Sequence, residues 1–428
     1  MGFLFRTENS GPSTKETNSM SHRLTFSDRT LGMQQLAITG SKSETNRLLI
    51  LMGLYPSLTI NNASQSDDSK VLTAALRTKD SLIDVHHAGT AMRFLTSYLA
   101  VQQGQNFILT GSERMQQRPI GVLVDALRDL GASIEYVANE GYPPLKITGV
   151  AIAKNQVSIQ ANVSSQYISS LMLIAPSLPL GLTITLVGKV TSVPYIKMTV
   201  ALLNEIGVQA SFSGQTINVE PLKNNTVQNI TVESDWSSAS YFYSLVALSK
   251  NASITLSSYK QNSRQGDAAL ATIFEQLGVS TTFDANSHSI QIASQNKALP
   301  KSIELDLANT PDLAQTIAVC CFGLGIACEL KGLHTLKIKE TDRLVALEAE
   351  LSKLGASCQI TNNSLSLAPS NIIKEEILIN TYQDHRMAMA FAPLALLVPI
   401  VINEPEVVSK SFPSFWKDLK AMGAQISE

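Results

Sequence analysis

At 428 residues and 44% hydrophobic content, the chain is too long for one ordinary core and apolar enough to be globular throughout, so two domains are expected. Charged residues make up only 16% and the net charge is -2, which excludes a general basic surface for nucleic acid or acidic membrane. Any anion site must therefore be local.

Residues 1–20 interleave Ser, Thr, Asn, Glu and Lys around a short apolar Phe3–Phe5; this is neither a signal nor a transit peptide, and a disordered tail is expected. Next comes Gly40-Ser41-Lys42-Ser43-Glu44-Thr45-Asn46-Arg47, running into apolar Leu48–Leu54. A Gly and two Ser ahead of a helix leave N–H groups and hydroxyls at its positive end, where an anion is stabilised, and Lys42 and Arg47 add full charges. An ordinary capped helix with two solvated cations is the plainer alternative. Ala88-Gly89-Thr90-Ala91-Met92-Arg93 is a second small-residue turn into a helix. Arg118-Pro119-Ile120 puts Pro at a first helical position with an Arg just outside it.

Two uncharged stretches, Ala161–Gly188 and Met387–Asn403, are interrupted by Pro and read as buried helices running into strands, so no membrane span is expected. Within the first, Val163-Ser164-Ser165-Gln166-Tyr167 must pair its polar groups with backbone or face a ligand. Ser192-Val193-Pro194-Tyr195 follows one strand later, and ordinary capping is the alternative for both motifs.

Five times an amphipathic helix ends in an apolar residue, then Gly, then Ala or Val, then strand-like alternation. The glycines, Gly131, Gly207, Gly278, Gly355 and Gly423, lie 76, 71, 77 and 68 residues apart, too regular for chance and too long for a solenoid. Each suits a left-handed residue closing a helix, followed by a hairpin. A sixth, degenerate copy is expected over Val71–Ile83, with Arg77-Thr78-Lys79-Asp80 in place of the glycine. Six units of strand and helix in two layered domains of three follow, with a boundary near residue 234, where Glu233-Ser234-Asp235 opens a helix at Trp236. The cleft between domains is the natural ligand site.

The second half is denser in charge. Asp312, in Asn309-Thr310-Pro311-Asp312, stands at a helix start; favourable dipole placement is the plain account. Lys339-Glu340-Thr341-Asp342-Arg343 heads the helix Leu344–Leu354, where Glu340 and Arg343 share a face and suit an ion pair. Asp384-His385-Arg386 precedes a very apolar helix, and Lys410-Ser411-Phe412-Pro413 follows a strand. If Lys42, Arg47, Arg93, Arg118, Lys339, Arg343, Arg386 and Lys410 converge, they make a site for substrates with several negative charges. Asp312 and Glu340 are the acids best placed for proton transfer there. The four cysteines, Cys320, Cys321, Cys328 and Cys358, lack metal-ligand spacing and read as reduced core thiols of a cytoplasmic protein. No metal cluster, Walker loop, dinucleotide fingerprint or nucleophile elbow appears, so no cofactor is expected.

From about Leu31 onward, these motifs in this order closely resemble the 5-enolpyruvylshikimate-3-phosphate synthase family of enolpyruvyl transferases. The resemblance implies an α/β (α+β) fold of two similar domains, each of three βαβαββ units of the inside-out α/β barrel type. Two crossovers would join them, with a discontinuous first domain at 21–39 plus 235–428 and the second at 40–234. It implies transfer of the enolpyruvyl group of phosphoenolpyruvate to the 5-hydroxyl of shikimate 3-phosphate, without metal or cofactor, in a cytoplasmic monomer whose cleft closes on substrate. Carried over by position, Lys42, Gly89, Arg118, Gln166, Arg343, Arg386 and Lys410 would hold phosphoenolpyruvate. Lys42, Ser43, Arg47, Ser164, Ser165, Gln166, Ser192, Tyr195, Asp312, Thr335 and Lys339 would hold shikimate 3-phosphate. Asp312, Glu340 and Lys42 would be catalytic, Asp312 taking the hydroxyl proton and Glu340 protonating the methylene carbon.

The chain departs from the commoner family pattern at His87 and Thr335, where Asn is frequent, at Phe94, where Pro is frequent, and at Lys197, where an acid is frequent. Phe94 bears on the helix geometry after Arg93 and on sensitivity to the inhibitor glyphosate. The sister UDP-N-acetylglucosamine enolpyruvyl transferases usually carry Lys-Asn after the first glycine turn and a reactive loop Cys. Here Ser43 follows Lys42 and no Cys precedes Cys320. A catalytically dead anion-binding module has no use for acids in the cleft. A cyclase of RNA ends needs a reactive His and a more basic surface.

Overall fold

The computed structural model describes residues 20–162, 164–223 and 228–428. The expected tail lies outside the described residues except for Met20, whose carbonyl accepts from Glu404 N at 3.0 Å; Val163 of the Ser-Ser-Gln motif also lies outside them.

One four-strand arrangement recurs five times. In the sheet ordered Leu82–Asp84, Asn106–Thr110, Leu145–Thr148, Ser133–Tyr136, the first pair is parallel and the other two antiparallel. The same sequence of pairings builds four more sheets, and a two-stranded parallel one joins Leu58–Asn61 to Gln228–Thr231, giving a mixed α/β fold with six small sheets among the described residues. The five glycines explain the recurrence. Each stands at positive φ, from 84° at Gly278 to 105° at Gly131, where an L side chain is strained. The reversal it allows sends the helix directly into a strand.

After Gly423 the strand Ala424–Ser427 pairs with the first strand of the described chain, Ser21–Phe26, so the last glycine unit finds its hairpin partner at the other end of the sequence. The sixth copy expected over Val71–Ile83 is not a glycine unit. The helix Asp67–Arg77 closes at Thr78 with extended backbone (φ -68°, ψ 150°), and Leu82–Asp84 then joins the next sheet in parallel instead of turning into a hairpin. Without a left-handed residue the chain leaves the helix straight.

Apolar side chains gather in two cores. One runs from Leu24 to Ile38 and from Trp236 to Ala424, the other from Leu48 to Val232. The chain passes between them twice, side by side: Ser41 N donates to Glu233 O at 2.8 Å, Asp235 N donates to Thr39 O at 3.2 Å, and Gly40 bridges Ser234. A Cβ on Gly40 would lie 1.8 Å from Asn62 O, so this crossing requires glycine. The crossings place the starts of the helices Lys42–Leu54 and Trp236–Leu248 together, and Asp235 serves both: its carboxylate accepts from Ser238 N at 2.7 Å and from Lys42 N at 3.3 Å.

The uncharged stretches form a helix and strand each, Ser165–Ile174 with Leu182–Val187, and His385–Phe391 with Ile400–Asn403. Among the described residues, no helix is long and apolar enough to cross a membrane.

Candidate active site

One cleft, lined from both cores, collects Lys42, Ser43, Arg47, Gly89, Arg118, Ser164, Ser165, Gln166, Ser192, Tyr195, Asp312, Thr335, Lys339, Glu340, Arg343 and Arg386. Lys410 stands beside the lining residue Ser411 with its ammonium on Gln383 O at 2.7 Å. The sequence-predicted positions, scattered over some 370 residues of chain, are thus brought together.

On one wall the charges are already paired. The guanidinium of Arg343, 2% exposed, donates to Asp384 Oδ2 at 2.6 Å, Asp312 Oδ1 at 2.8 Å and Glu340 Oε2 at 2.8 Å. Arg386 Nη2 reaches Asp312 Oδ2 at 2.9 Å, Lys339 Nζ lies 3.5 Å from Asp312 Oδ1, and the Tyr195 hydroxyl donates to Asp312 Oδ2 at 3.4 Å. Burial works to raise the Asp312 pKa, but Arg386, Lys339 and Arg343 outweigh it and hold the carboxyl well below the usual range. Glu340 is likewise pushed up by burial and held well below its ordinary value by Arg343, Arg118 and Lys42. In the free protein both acids are therefore ionised. Local structure explains their placement: Asp312 lies in the 3₁₀ turn Pro311–Leu313, and Arg343 opens the helix Arg343–Lys353 behind its cap, Asp342.

On the other wall Arg47 and Arg93 form no ion pair with a carboxylate among the described residues. Arg47, 2% exposed, donates Nε–H to Thr199 Oγ1 at 2.8 Å, Nη1–H to Ser43 O at 2.8 Å and Nη2–H to Ser169 Oγ at 3.0 Å. All three acceptors are neutral, and burial pulls its pKa down to about 10. Arg93 donates to Gly89 O at 3.0 Å and Pro119 O at 3.4 Å; burial first, then Arg118, lowers it to about 10. A Cβ on Gly89 would lie 2.6 Å from Arg118 Nη1, so only glycine lets that guanidinium approach the helix start Gly89–Ala100. The helix runs on through Phe94 without a break. The hydroxyl of Ser164 caps Ser165–Ile174 by accepting from Gln166 N at 3.2 Å, and Gln166 Nε2 donates to Thr90 Oγ1 at 3.3 Å. Ser192, at φ 54°, holds a left-handed conformation at the start of Val193–Glu205.

Two local expectations are corrected. The first turn of Lys42–Leu54 does not keep all its donors for an anion: Lys42 N is taken by Asp235, and Glu44 N by Ser41 Oγ at 3.5 Å. Pro119 is not a first helical residue. The helix is Gly121–Leu130 with Ile120 as its cap, and the Pro119 carbonyl instead accepts from the Tyr167 hydroxyl at 2.6 Å.

Among the groups to which the sequence reading gave no role in the cleft, four stand out. Asp68 lies 3.9 Å from Lys42 Nζ, Asp384 orients Arg343, Asp235 anchors Lys42, and the buried His385 lines the cleft. Burial, then Lys42 and Arg386, keeps the His385 pKa well below the ordinary imidazole value. Asp384 and Asp235 carried one signal, an acid at N-cap spacing before an apolar helix, which reads equally well as capping. Among the described residues no group of three or more His, Cys, Asp or Glu could hold a metal ion.

The fold is the one seen in solved enolpyruvyl transferases. It superposes on the solved EPSP synthase of Acinetobacter baumannii with a TM-score of 0.77 at 21% identity, covering 95% of this chain and 100% of that one. On the enolpyruvyl transferase NikO of Streptomyces tendae the TM-score is 0.71 at 12% identity, covering 96% and 99%. In sequence, the family described as EPSP synthase (3-phosphoshikimate 1-carboxyvinyltransferase) matches residues 74–419. The 3-phosphoshikimate 1-carboxyvinyltransferase of Bacteroides fragilis is 44% identical over 393 residues, 91% of this chain and 95% of the relative. That of a Sulfurovum species is 34% identical over 424 residues, covering 91% and 96%. The chain belongs to the EPSP synthase family and is an enzyme with 3-phosphoshikimate 1-carboxyvinyltransferase activity, acting in the shikimate pathway.

Proposed function

We propose that the two walls of the cleft share the reaction, the paired wall moving protons while Arg343, Arg386 and Lys339 also help to hold the substrates, and the other wall serving to bind anions. The observation that carries this reading is Arg343, which ties Asp312 and Glu340 to one guanidinium in a cleft otherwise rich in cations. Phosphoenolpyruvate would be held by Lys42, Gly89, Arg118, Gln166, Arg343, Arg386 and Lys410. Shikimate 3-phosphate would be held by Lys42, Ser43, Arg47, Ser164, Ser165, Gln166, Ser192, Tyr195, Asp312, Thr335 and Lys339. Thr335 Oγ1 is buried without a partner among the described residues, which suits a group waiting for a ligand oxygen.

Glu340 delivers a proton to the methylene carbon of phosphoenolpyruvate, leaving positive charge on the neighbouring carbon. The 5-hydroxyl oxygen of shikimate 3-phosphate bonds to that carbon while Asp312 takes its proton. Loss of a methyl proton back to Glu340 restores the double bond as the carbon–oxygen bond to phosphate breaks, and phosphate leaves carrying the proton that Asp312 had taken. Asp312 is ionised in the free protein, as a base must be. Glu340 is ionised too, which is the wrong state for an acid. Substrate anions that engage Arg118, Lys42 and Arg343 remove the charges holding the Glu340 pKa down, and burial then raises it. Substrate binding thereby arms the acid.

Two domains of three units each, at 21–39 plus 235–428 and at 40–234, fit the two cores and the paired crossings. Such an arrangement can close on substrate about the crossings, and we take the working enzyme to be a cytoplasmic monomer. Phosphate release from phosphoenolpyruvate, compared with shikimate 3-phosphate, shikimate and UDP-N-acetylglucosamine as acceptors, tests the assignment. Release with shikimate 3-phosphate alone is expected; release with the sugar nucleotide would overturn it.

A further inference from the structure

We propose that Phe94 is a positioning residue for substrate binding: its ring face, with that of Tyr195, stabilises the Arg47 guanidinium without occupying its N–H donors, so that the charge stays available to an incoming anion. The Arg47 guanidinium carbon lies over the Phe94 ring at 5.5 Å from its centroid and over the Tyr195 ring at 5.8 Å. These distances are within cation–π range, and the attraction is strongest where water is excluded. Water is excluded here, with Phe94 1% and Arg47 2% exposed.

A buried guanidinium without a carboxylate would ordinarily shed its charge cost by pairing with one, as Arg343 does. Arg47 instead takes its hydrogen bonds and ring contacts from neutral groups on four helices: Ser43 from its own, Phe94 from Gly89–Ala100, Ser169 from Ser165–Ile174, and Tyr195 with Thr199 from Val193–Glu205, with Glu44 acting on it only at longer range. Three of its five N–H donors go to the protein. The ring faces supply partial negative charge with no acceptor atom, and among the described residues the other two donors are uncommitted.

The inference rests on the assignment of Arg47 to shikimate 3-phosphate. Replacing Phe94 with phenylalanines carrying one, two and three ring fluorines withdraws charge from the ring face at almost constant volume. We expect the KM for shikimate 3-phosphate to climb stepwise, reaching roughly tenfold at three fluorines. The KM for phosphoenolpyruvate and kcat should move less than about twofold. A flat KM across the series, with Phe94→Leu disturbing all parameters alike, would reduce Phe94 to core filling. Arg47→Ala separates the two layers of the argument. If it leaves the KM for shikimate 3-phosphate unchanged, the assignment of Arg47 itself fails; if it raises that KM while the fluorine series stays flat, only the role of Phe94 fails.

Discussion

Two arginines, equally buried in the same cleft, live in opposite electrostatic worlds. Arg343 touches three carboxylates; Arg47 touches three neutral oxygens and two aromatic rings. Burial depresses both, yet carboxylates drive the Arg343 pKa above its ordinary value while Arg47 falls to about 10. A charge already satisfied by the protein gains little from a ligand, whereas an unsatisfied one is a binding site held at a cost in stability. On the proposed assignment, the contrast distinguishes a cation that chiefly holds the two acids, Arg343, from one free to draw substrate in, Arg47.

The largest effect expected of this division falls on the paired wall. Asp312→Ala should lower kcat on the order of 10³-fold while the affinity for shikimate 3-phosphate, measured calorimetrically, stays within about threefold. Near-normal turnover would remove the base from Asp312. Next comes stability. Arg343→Leu takes the ion partner from buried Asp384 and partly buried Glu340, while Asp312 keeps Arg386 and Lys339, and should cost about 3–5 kcal/mol by urea unfolding, whereas Arg47→Leu removes an uncompensated charge and should be neutral or stabilising by about 1 kcal/mol. Equal losses at the two sites would mean that the walls do not differ. Lys42 belongs to both sides, its backbone N–H on Asp235 and its ammonium 3.9 Å from Asp68, so Lys42→Ala should weaken substrate binding and turnover together, each about tenfold or more.

How much of this was legible in the sequence depended on whether the cause was local. The five helix-ending glycines announce the recurring sheet because a left-handed turn must be written where it occurs. Asp312, Glu340 and Arg343 could be singled out because they crowd helix starts. Non-local causes stayed hidden. Gly40 is required by the carbonyl of Asn62 passing at the crossing, Asp384 reaches Arg343 from 41 residues away, and Phe94 meets Arg47 only when two helices pack. The supposed sixth copy over Val71–Ile83 shows the limit from the other side: helix-then-strand alternation was present, but the residue that could reverse the chain was not.

The smallest and most specific effect concerns the proton on Glu340. In the free enzyme its pKa lies well below 4.5, so at pH 8 the carboxyl is ionised. If bound anions neutralise Arg343, Arg118 and Lys42, its pKa rises in the ternary complex, and binding must draw a proton from solution. The sign follows by linkage: uptake makes binding weaken as pH rises, by up to about tenfold per pH unit for one whole proton, between the free and the bound pKa values. At pH 8 phosphate groups, with a second pKa near 6, are already fully ionised and take no part. Calorimetric titration in two buffers of different ionisation enthalpy should therefore report uptake of a fraction of a proton, up to about one. Glu340→Gln should abolish it while leaving the phosphate contacts in place. Zero uptake in the parent enzyme would mean that the acid is armed elsewhere or only in the transition state, and the link drawn between anion binding on one wall and proton delivery from the other would not hold.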